Sequence, residues 1–348
     1  MNQPLTGLHV VEFEGIGPGP LAGHMLVQMG ARVTLVARPQ AAAVTRRLTG
    51  DGEHPLHAGK HTLAIDLKAP GAAAQALELL ADADALIEGH RPGVMERLGL
   101  GPQVCLARNP RLVYGRMTGW GQSGPLAQTA GHDLNYVALS GMLSLSVRPG
   151  QRPIVPPTVI GDAGGALGLA FGIVCGVLQA RSSGRGTVVD AAIIDIVAML
   201  GGLAHWIAAG GGLGGPQPSA FHDSPFYDVY ECADGRCITI AALEPQFYAL
   251  LLIKLELADV DPRAQYDSTR WPALKSRFAA LFKSQTRDAW CALLEGTDVC
   301  FAPVLTISEA AVHPHNIARA VFAVREGGAV QAAGAPHFSP SPAADPHG

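Results

Sequence analysis

Two short segments place ionisable side chains beside glycine in a pattern suited to proton transfer. The first covers residues 130–136 (AGHDLNY) and the second residues 161–165 (GDAGG), and each precedes an apolar helical pattern. His132 and Asp162 are therefore expected at the mouths of two helices, sheltered from bulk water. An imidazole and a carboxyl group held in this way can remove and return a proton at one carbon atom. We predict proton-transfer chemistry that uses both groups.

The same residues also fit purely structural roles. Asp162 fits the N-cap position of a helix, a role that lowers the pKa of a carboxyl group. His132 and Asp133 fit a cap and a core contact, and Glu244, which precedes Pro245, fits another N-cap. The free N–H groups of a helix N-terminus also stabilise an oxyanion or enolate, so capping and catalysis can coexist at Asp162.

Two arginines follow predicted strands at positions that suit phosphate binding. Arg38 stands where a protein that binds NAD carries an acidic residue, and arginine suits a phosphorylated adenosine such as that of NADP or coenzyme A. Arg91 comes just after another strand, at the edge where parallel sheets bind ligands. A solvated surface arginine is the alternative for both. Ordinary nicotinamide binding is not expected, because Pro18 and Pro20 lack the N–H donors that a dinucleotide loop needs.

The elements that must position these residues alternate between β-branched runs and helical patterns. The predicted strands are residues 8–13, 32–36, 62–65, 85–87 and 112–116, and the predicted helices among them are residues 20–29 and 71–80. This βαβ rhythm predicts an α/β fold with a Rossmann-like parallel sheet.

Three further helical stretches are predicted at residues 134–145, 163–179 and 191–208, with a short strand at residues 187–189. Residues 163–180 include no charge and carry glycine at every fourth position, so this segment imitates a membrane span. Glycine and alanine contribute little apolar area, and small residues let a helix lie close to a sheet. We therefore predict a buried helix of a soluble protein.

Shifts in composition divide the chain into four parts. We predict a large Rossmann-like domain at residues 1–209, a linker at 210–224, a small α+β domain at 225–320 and a loosely ordered Pro/Ala-rich tail at 321–348. In the small domain, the Asp234-Gly235 turn predicts a β-hairpin. Amphipathic patterns there predict helices at residues 246–257, 271–282 and 287–294.

The composition argues against several classes of protein. Only 16% of the 348 residues are charged and the net charge is −4, so nucleic acid is not expected as a partner. The six cysteines form no Cys-x-x-Cys pair, and neither a metal site nor disulfides are expected. The N-terminus lacks the pattern of a signal peptide, so we expect a cytoplasmic protein with no membrane partner.

Taken together, the chain resembles the family III coenzyme A transferases, and more closely their α-methylacyl-CoA racemase branch. The resemblance runs from about Leu8 to His315 and rests on short segments in the family's order. They are residues 18–20 (PGP), 30–33 (GARV), 38–39 (RP), 63–68 (LAIDLK), 91–95 (RPGVM), 109–114 (NPRLVY), 119–124 (GWGQSG), 130–133 (AGHD), 184–186 (GRG), 225–227 (PFY) and 244–248 (EPQFY).

The resemblance implies a set of site residues. His132 and Asp162 would be the two acid/base groups, Asp133 a supporting residue, and Glu244 a small-domain carboxylate that partners the histidine. The residues implied to bind coenzyme A (CoA) are Arg38, Ala64, Ile65, Asp66, Leu67, Arg91, Ala130, Gly131, Leu134, Asn135 and Tyr136. No cofactor is implied, because CoA is part of the substrate. The family forms interlocked homodimers, in which Glu244 would act on the partner's site.

The resemblance also implies the reaction, racemisation of 2-methyl-branched acyl-CoA thioesters through an enolate. Amides near Ala163 and Gly164 would stabilise that enolate. One alternative is CoA transfer between carboxylic acids, in which Asp162 would be a nucleophile that forms an acyl-enzyme anhydride. Another is a CoA-binding protein without catalysis. His132 beside Asp133 favours the racemase, since a transferase needs no second base there.

Overall fold

The computed structural model describes residues 3–40, 54–148, 150–215, 217–324 and 330–339. The chain forms two compact units. The first comprises Met1–Val147, Gln151–Gly201 and Ala333–Gly348, and the second comprises Arg148–Gly150 and Gly202–Ala332. Each unit has an apolar core of its own. All the predicted site residues except Glu244 belong to the first unit.

The first unit is built on a six-stranded parallel sheet with the strand order β3-β2-β1-β4-β5-β6. Its strands are β1 (His9–Phe13), β2 (Arg32–Ala37), β3 (His61–Ala64), β4 (Ala85–Glu88), β5 (Val113–Thr118) and β6 (Thr187–Ala192). Every residue of β1 and β4 is buried, as expected for central strands covered on both faces. The predicted Rossmann-like α/β fold is confirmed.

Helices supply the cover on both faces of this sheet. They are α1 (Pro18–Gln28), α2 (Ala72–Leu80), α3 (Val94–Arg97), α4 (Pro102–Arg108), α5 (Asp133–Leu139), α6 (Asp162–Ser183) and α7 (Ile193–Leu200). Val10 of β1 shares an apolar cluster with Leu26 of α1 and Leu169 of α6. Its neighbour Val11 shares a second cluster with Leu80 of α2. Consecutive residues of one strand thus serve two cores, because side chains alternate across a sheet.

The helix predicted at residues 134–145 is wrong in its second half. Helix α5 ends at Leu139, and a 3₁₀ turn at Met142–Ser146 follows it. Gly141 between them has a φ of +85°, a left-handed conformation that interrupts a right-handed helix. The sequence pattern stays apolar across this turn, which is why the break is not evident from periodicity.

The single helix predicted at residues 191–208 is also wrong. Ala191 and Ala192 extend β6, where they pair with the end of β5. Helix α7 then stops at Leu200, and a separate helix, α8 (Gly202–Ala209), begins in the second unit. A Cβ atom on Gly201 would lie 2.4 Å from the sulfur of Met142, so the break is tightly packed.

Helix α6 lies close to the sheet because of its glycines. A Cβ atom on Gly172 or Gly176 would lie 2.7 Å from a methyl group of Val189 or Val113, which are strand residues. The helix is long and apolar enough to cross a membrane, and half of its most apolar window is buried within the structure. The predicted burial is therefore confirmed for one face only, because the opposite face is exposed.

The second unit contains a small antiparallel sheet, the predicted hairpin and several helices. Its strands are β7 (Tyr227–Glu231), β8 (Cys237–Ala241) and β9 (Phe301–Pro303), with a separate ribbon of β10 (Phe322–Val324) and β11 (Val330–Ala332). Its further helices are α9 (Pro245–Lys254), α10 (Trp271–Phe282), α11 (Arg287–Leu294), α12 (Ile307–Val312) and α13 (Pro314–Ala318). Strand β9 was not predicted, since three residues carry no periodic signal. The ribbon lies within the segment predicted as a tail, whose residues 325–329 and 340–348 lie outside the described residues.

Gly176→Ala should destabilise the first unit. Overpacking a core costs about 1–3 kcal/mol, and the better helix propensity of alanine recovers about 1 kcal/mol of that. The valine and threonine side chains that a Cβ would meet are fixed on β5 and β6. We expect a lower urea-unfolding midpoint than for the wild type. The control is Gly202→Ala, where a Cβ would meet nothing within 4 Å. Equal midpoints for the two variants would contradict the packing described.

Candidate active site

The first part of the site is the N-terminus of α5, where His132 and Asp133 are adjacent. The backbone N–H of His132 donates to Oδ1 of Asn135 at 3.0 Å, which fixes the start of the helix. His132 has an extended backbone conformation and is exposed, whereas Asp133 is buried. Two adjacent residues therefore present one ring to solvent and one carboxylate to the interior, and within this chain the expectation that His132 is sheltered from bulk water is wrong.

The buried carboxylate of Asp133 joins this helix to α6. Its Oδ1 accepts the backbone N–H of Asp162 at 2.8 Å. A Cβ atom on Gly161 would lie 2.3 Å from the same oxygen, so the contact requires glycine at that position. The structural alternative for Asp162 is corrected here, because Asp162 is the first helical residue and Gly161 is the N-cap. The cap is supplied from another helix, by Asp133.

Asp162 is the residue whose ionisation is most directly affected by this arrangement. Burial raises the pKa of its carboxyl group, the charge of Asp133 raises it further, and His132 acts in the opposite direction. His132 is therefore close enough to Asp162 to interact with it electrostatically. A Cβ atom on Gly17 would lie 3.2 Å from Oδ2 of Asp162, so the loop after β1 forms one wall beside the carboxyl group. A carboxyl group with a raised pKa can both accept and return a proton.

The two amides expected to stabilise an enolate differ in their surroundings. The N–H of Ala163 donates to the carbonyl of Thr158 at 3.0 Å, so the expectation for Ala163 is wrong. Within the described part of the chain, the N–H of Gly164 has no hydrogen-bond partner. The expected role of the Gly164 amide toward an oxyanion therefore stays a prediction.

An aromatic pair supports the loop that leads to His132. The ring of Tyr136 packs edge-on against Trp120, with ring centroids 4.7 Å apart, and its hydroxyl donates to the carbonyl of Gly131. A Cβ atom on Gly119 would lie 2.0 Å from the Tyr136 ring. Tyr136 is thus buried, and its side chain positions the loop. The supporting role of Trp120 was not predicted, although the Gly-Trp-Gly segment was part of the resemblance.

The predicted CoA-binding residues fall into four groups, three of which lie at the carboxyl ends of strands. Arg38 follows β2, and its backbone N–H donates to Oε2 of Glu14 at 2.8 Å, with its guanidinium exposed. Ala64 ends β3 and residues 65–67 follow it. The Ile65 side chain is in the core and its N–H donates to the Ala37 carbonyl at 2.8 Å, which leaves only its carbonyl for a ligand. Arg91 follows β4 and is exposed. The remaining predicted positions, Ala130, Gly131, Leu134 and Asn135, lie around the start of α5.

These groups share one end of the sheet. Strands β1 and β4 are neighbours although they are not consecutive in the chain, so the strand order reverses between them. Parallel sheets bind ligands in the crevice at such a reversal. The loops after β1 and β4 carry Gly17 and Arg91 to that crevice. Glu244 precedes α9 in the second unit and is exposed, and its role as partner of His132 stays a prediction.

Comparisons with known proteins decide the family. The model of CoA-transferase family III matches residues 5–347. This chain belongs to CoA-transferase family III. Two family III relatives are the alpha-methylacyl-CoA racemases of Mus musculus and Homo sapiens, at 41% and 39% identity over 91% and 97% of this chain. The matches cover 82% and 87% of those proteins. A CAIB/BAIF family protein from Brucella suis has a similar crystal structure, with a TM-score of 0.83, 26% identity and coverage of 97% of this chain and 93% of that one.

Asp133→Asn should lower the pKa of Asp162. The substitution removes the negative charge that disfavours ionisation of Asp162, while the asparagine oxygen still accepts the Asp162 N–H. Carbon-13 NMR titration of the Asp162 carboxyl group checks this. Asp84→Asn is the matched control, since that carboxylate also accepts a backbone N–H at 2.8 Å, from His9. An Asp162 titration that is unchanged in Asp133→Asn, or moves to higher pH, would refute the described electrostatics.

Proposed function

We propose that this chain racemises 2-methyl-branched acyl-CoA thioesters by proton transfer at the carbon next to the thioester. The observation that carries the proposal is the bond from the Asp162 amide to the Asp133 carboxylate, which brings the His132 and Asp162 segments together. Two relatives at about 40% identity are named alpha-methylacyl-CoA racemases, which supports the same substrate class here.

The reaction needs two groups that exchange one proton with the same carbon. A thioester acidifies its α-hydrogen, so one group of the His132–Asp162 pair can remove it and the other returns a proton from the opposite face. The negative charge moves from the carbon to the thioester oxygen, where the N–H of Gly164 stabilises it. Side chains and backbone of the protein perform these steps, and CoA enters as part of the substrate rather than as a cofactor.

We further propose that CoA lies along the carboxyl ends of β2, β3 and β4. Arg38 and Arg91 would meet phosphate groups, and the backbone of residues 64–67 would contact the nucleotide. The loop at residues 130–136 would contact the pantetheine part and lead the thioester to His132. Arginine suits this task because its planar guanidinium donates several hydrogen bonds to phosphate. The predicted cytoplasmic location agrees with a soluble CoA thioester as substrate.

A homodimer is the assembly we propose. The outer face of α6 exposes Leu167, Phe171 and Leu178, at 54%, 64% and 63% of their surface. These positions recur on one side of a helix, and a contiguous apolar surface of this kind marks a protein contact. In an interlocked dimer of the family's kind, Glu244 of one chain would serve the other chain's His132.

CoA transfer between two carboxylic acids is the second candidate. The family's name supports it, and so does the carboxyl group of Asp162, which could attack a thioester carbonyl and release CoA as the thiol. An acyl-aspartate anhydride would then form, and hydroxylamine would trap it. The exposed imidazole of His132 beside Asp133 favours the racemase, because the transfer reaction has no need of a second base at that position.

In heavy water, the protein should exchange the α-hydrogen of 2-methyldecanoyl-CoA of one configuration at C2 for deuterium, while the 2-methyldecanoic acid released by hydrolysis of the thioester loses its optical rotation. His132→Ala and Asp162→Ala should each lower the exchange rate by about 10²- to 10⁴-fold, the range typical of a lost acid/base group. Mass spectrometry and polarimetry provide the measurement. Retained configuration without exchange would contradict the racemase.

Product formed only with an added acceptor acid, together with hydroxylamine trapping at Asp162, would favour the transferase. CoA binding without either reaction would indicate a binding protein.

The combined substitution Leu167→Asp and Phe171→Asp should convert a dimer into a monomer, because two buried charges oppose association. Light scattering coupled to size-exclusion chromatography measures the mass. Val104→Asp is the control, since Val104 is an exposed apolar residue on α4 and away from the α6 face. The proposal fails if the wild type has the mass of one chain, or if the combined variant keeps the mass of two.

A further inference from the structure

A chain of charges that is buried at its inner end lies directly behind the loop that carries Arg91. Glu88, the last residue of β4, and Arg116 of β5 have side chains that are 0% and 8% exposed, and Nε of Arg116 donates to Oε1 of Glu88 at 2.9 Å. The guanidinium of Arg116 continues outward to Glu96 of α3, with Nη1 to Oε1 at 2.8 Å and Nη2 to Oε2 at 3.3 Å. One arginine therefore bridges two carboxylates.

This chain of charges holds the loop at both of its ends. At the near end, Oε2 of Glu88 accepts the backbone N–H of His90 at 2.7 Å. At the far end, Glu96 lies in the helix that follows Gly93, so its bond to Arg116 ties that helix to the sheet. The five residues 89–93 between these two attachments include Arg91.

The aliphatic part of the Glu96 side chain packs closely against the chain that follows α3. A Cβ atom on Gly101 would lie 2.8 Å from Cγ of Glu96, so the next helix begins against the stem of this side chain. Burial alone would raise the pKa of Glu96, but the hydrogen bonds from Arg116 bring it below the usual value. Glu96 is thus held as a carboxylate.

Arg91 itself has no ion-pair or hydrogen-bond partner for its guanidinium among the described residues. Its backbone neighbour Pro92 is held from the other side, where the side-chain amide of Gln128 donates to the Pro92 carbonyl at 3.2 Å. The loop is therefore fixed while the cation that it carries is left available. Fixing a loop before binding lowers the entropy cost of ordering it when the ligand binds.

We propose that Arg116 and Glu96 are positioning residues for CoA binding, because they hold the loop at residues 89–93 so that Arg91 meets a phosphate group of CoA. The proposal rests on the proposed function, which supplies CoA as the ligand. Neither residue touches the ligand in this account, and both act through Arg91. Arg116 is a poor choice for substitution, since its loss would remove the guanidinium that pairs with the buried Glu88 carboxylate and would destabilise the fold.

Isothermal titration of the full-length protein with free CoA tests the proposal through Glu96. Glu96→Ala should raise the Kd of CoA by about three- to tenfold, the effect of a loop that must be ordered on binding. Glu78→Ala is the matched control, because Glu78 forms a similar ion pair at 3.0 Å with Arg108 on neighbouring helices. It should leave the Kd unchanged. Glu96→Gln, which keeps the size of the side chain, is measured in parallel and should also raise the Kd.

The double variant separates positioning from a general structural effect. If Glu96 acts through Arg91, then Glu96→Ala should have no further effect on the Kd once Arg91→Ala is present. Additive losses would overturn the proposal, and so would an unchanged Kd in Glu96→Ala or in Arg91→Ala. Exchange of the α-hydrogen is recorded on the same samples. If the Kd values of the variants are as expected but the wild type exchanges no α-hydrogen, the racemase proposal fails and the positioning of Arg91 stands. If the wild type exchanges the α-hydrogen but the Kd values of the variants differ from those expected, only the positioning proposal fails.

Discussion

The candidate site depends on one hydrogen bond, from the backbone amide of Asp162 to the carboxylate of Asp133. This bond joins the first turns of two helices that are 29 positions apart in the chain. It uses an acceptor charge where the positive end of the α6 dipole favours one. The same charge opposes ionisation of the Asp162 side chain, so a single carboxylate both fixes the start of α6 and raises the pKa of the Asp162 carboxyl group. Removing the interaction would affect position and chemistry together.

The parallel sheet explains why the remaining groups gather nearby. Reversal of strand order between β1 and β4 leaves a crevice at their carboxyl ends, into which the loops after these strands open. Glycine recurs where two elements approach most closely, as at Gly161 beside Asp133 and Gly119 beside Tyr136. The loop that carries Arg91 is held by the buried Glu88 carboxylate and the Arg116–Glu96 ion pair, beside the apolar packing of Met95 in α3. An ion pair fixes direction as well as distance, which suits a loop that must present a cation.

Much of this arrangement could be predicted from sequence, because it depends on local patterns. The strands of the parallel sheet are short runs with β-branched residues, and the positions of His132 and Asp162 before helices follow from periodicity and glycine. What could not be predicted depends on contacts between distant residues. The bond between Asp133 and Asp162 and the bridge from Glu88 through Arg116 to Glu96 leave no trace in local spacing. The use of the Ala163 amide by the Thr158 carbonyl likewise depends on how the preceding loop turns back, and Thr158 has a φ of +61° there.

The central claim is that His132 and Asp162 address one carbon atom from two sides. A crystal structure of the Asp162→Asn variant with a bound 2-methylacyl-CoA tests it most directly. The account predicts that the α-carbon lies between the imidazole and the side chain at position 162, with each reacting atom roughly 3–3.5 Å from it, the separation typical of groups ready to react. It also predicts that the thioester oxygen points to the N–H of Gly164. An α-carbon that is reached from only one side, or that lies away from both groups, would contradict the account.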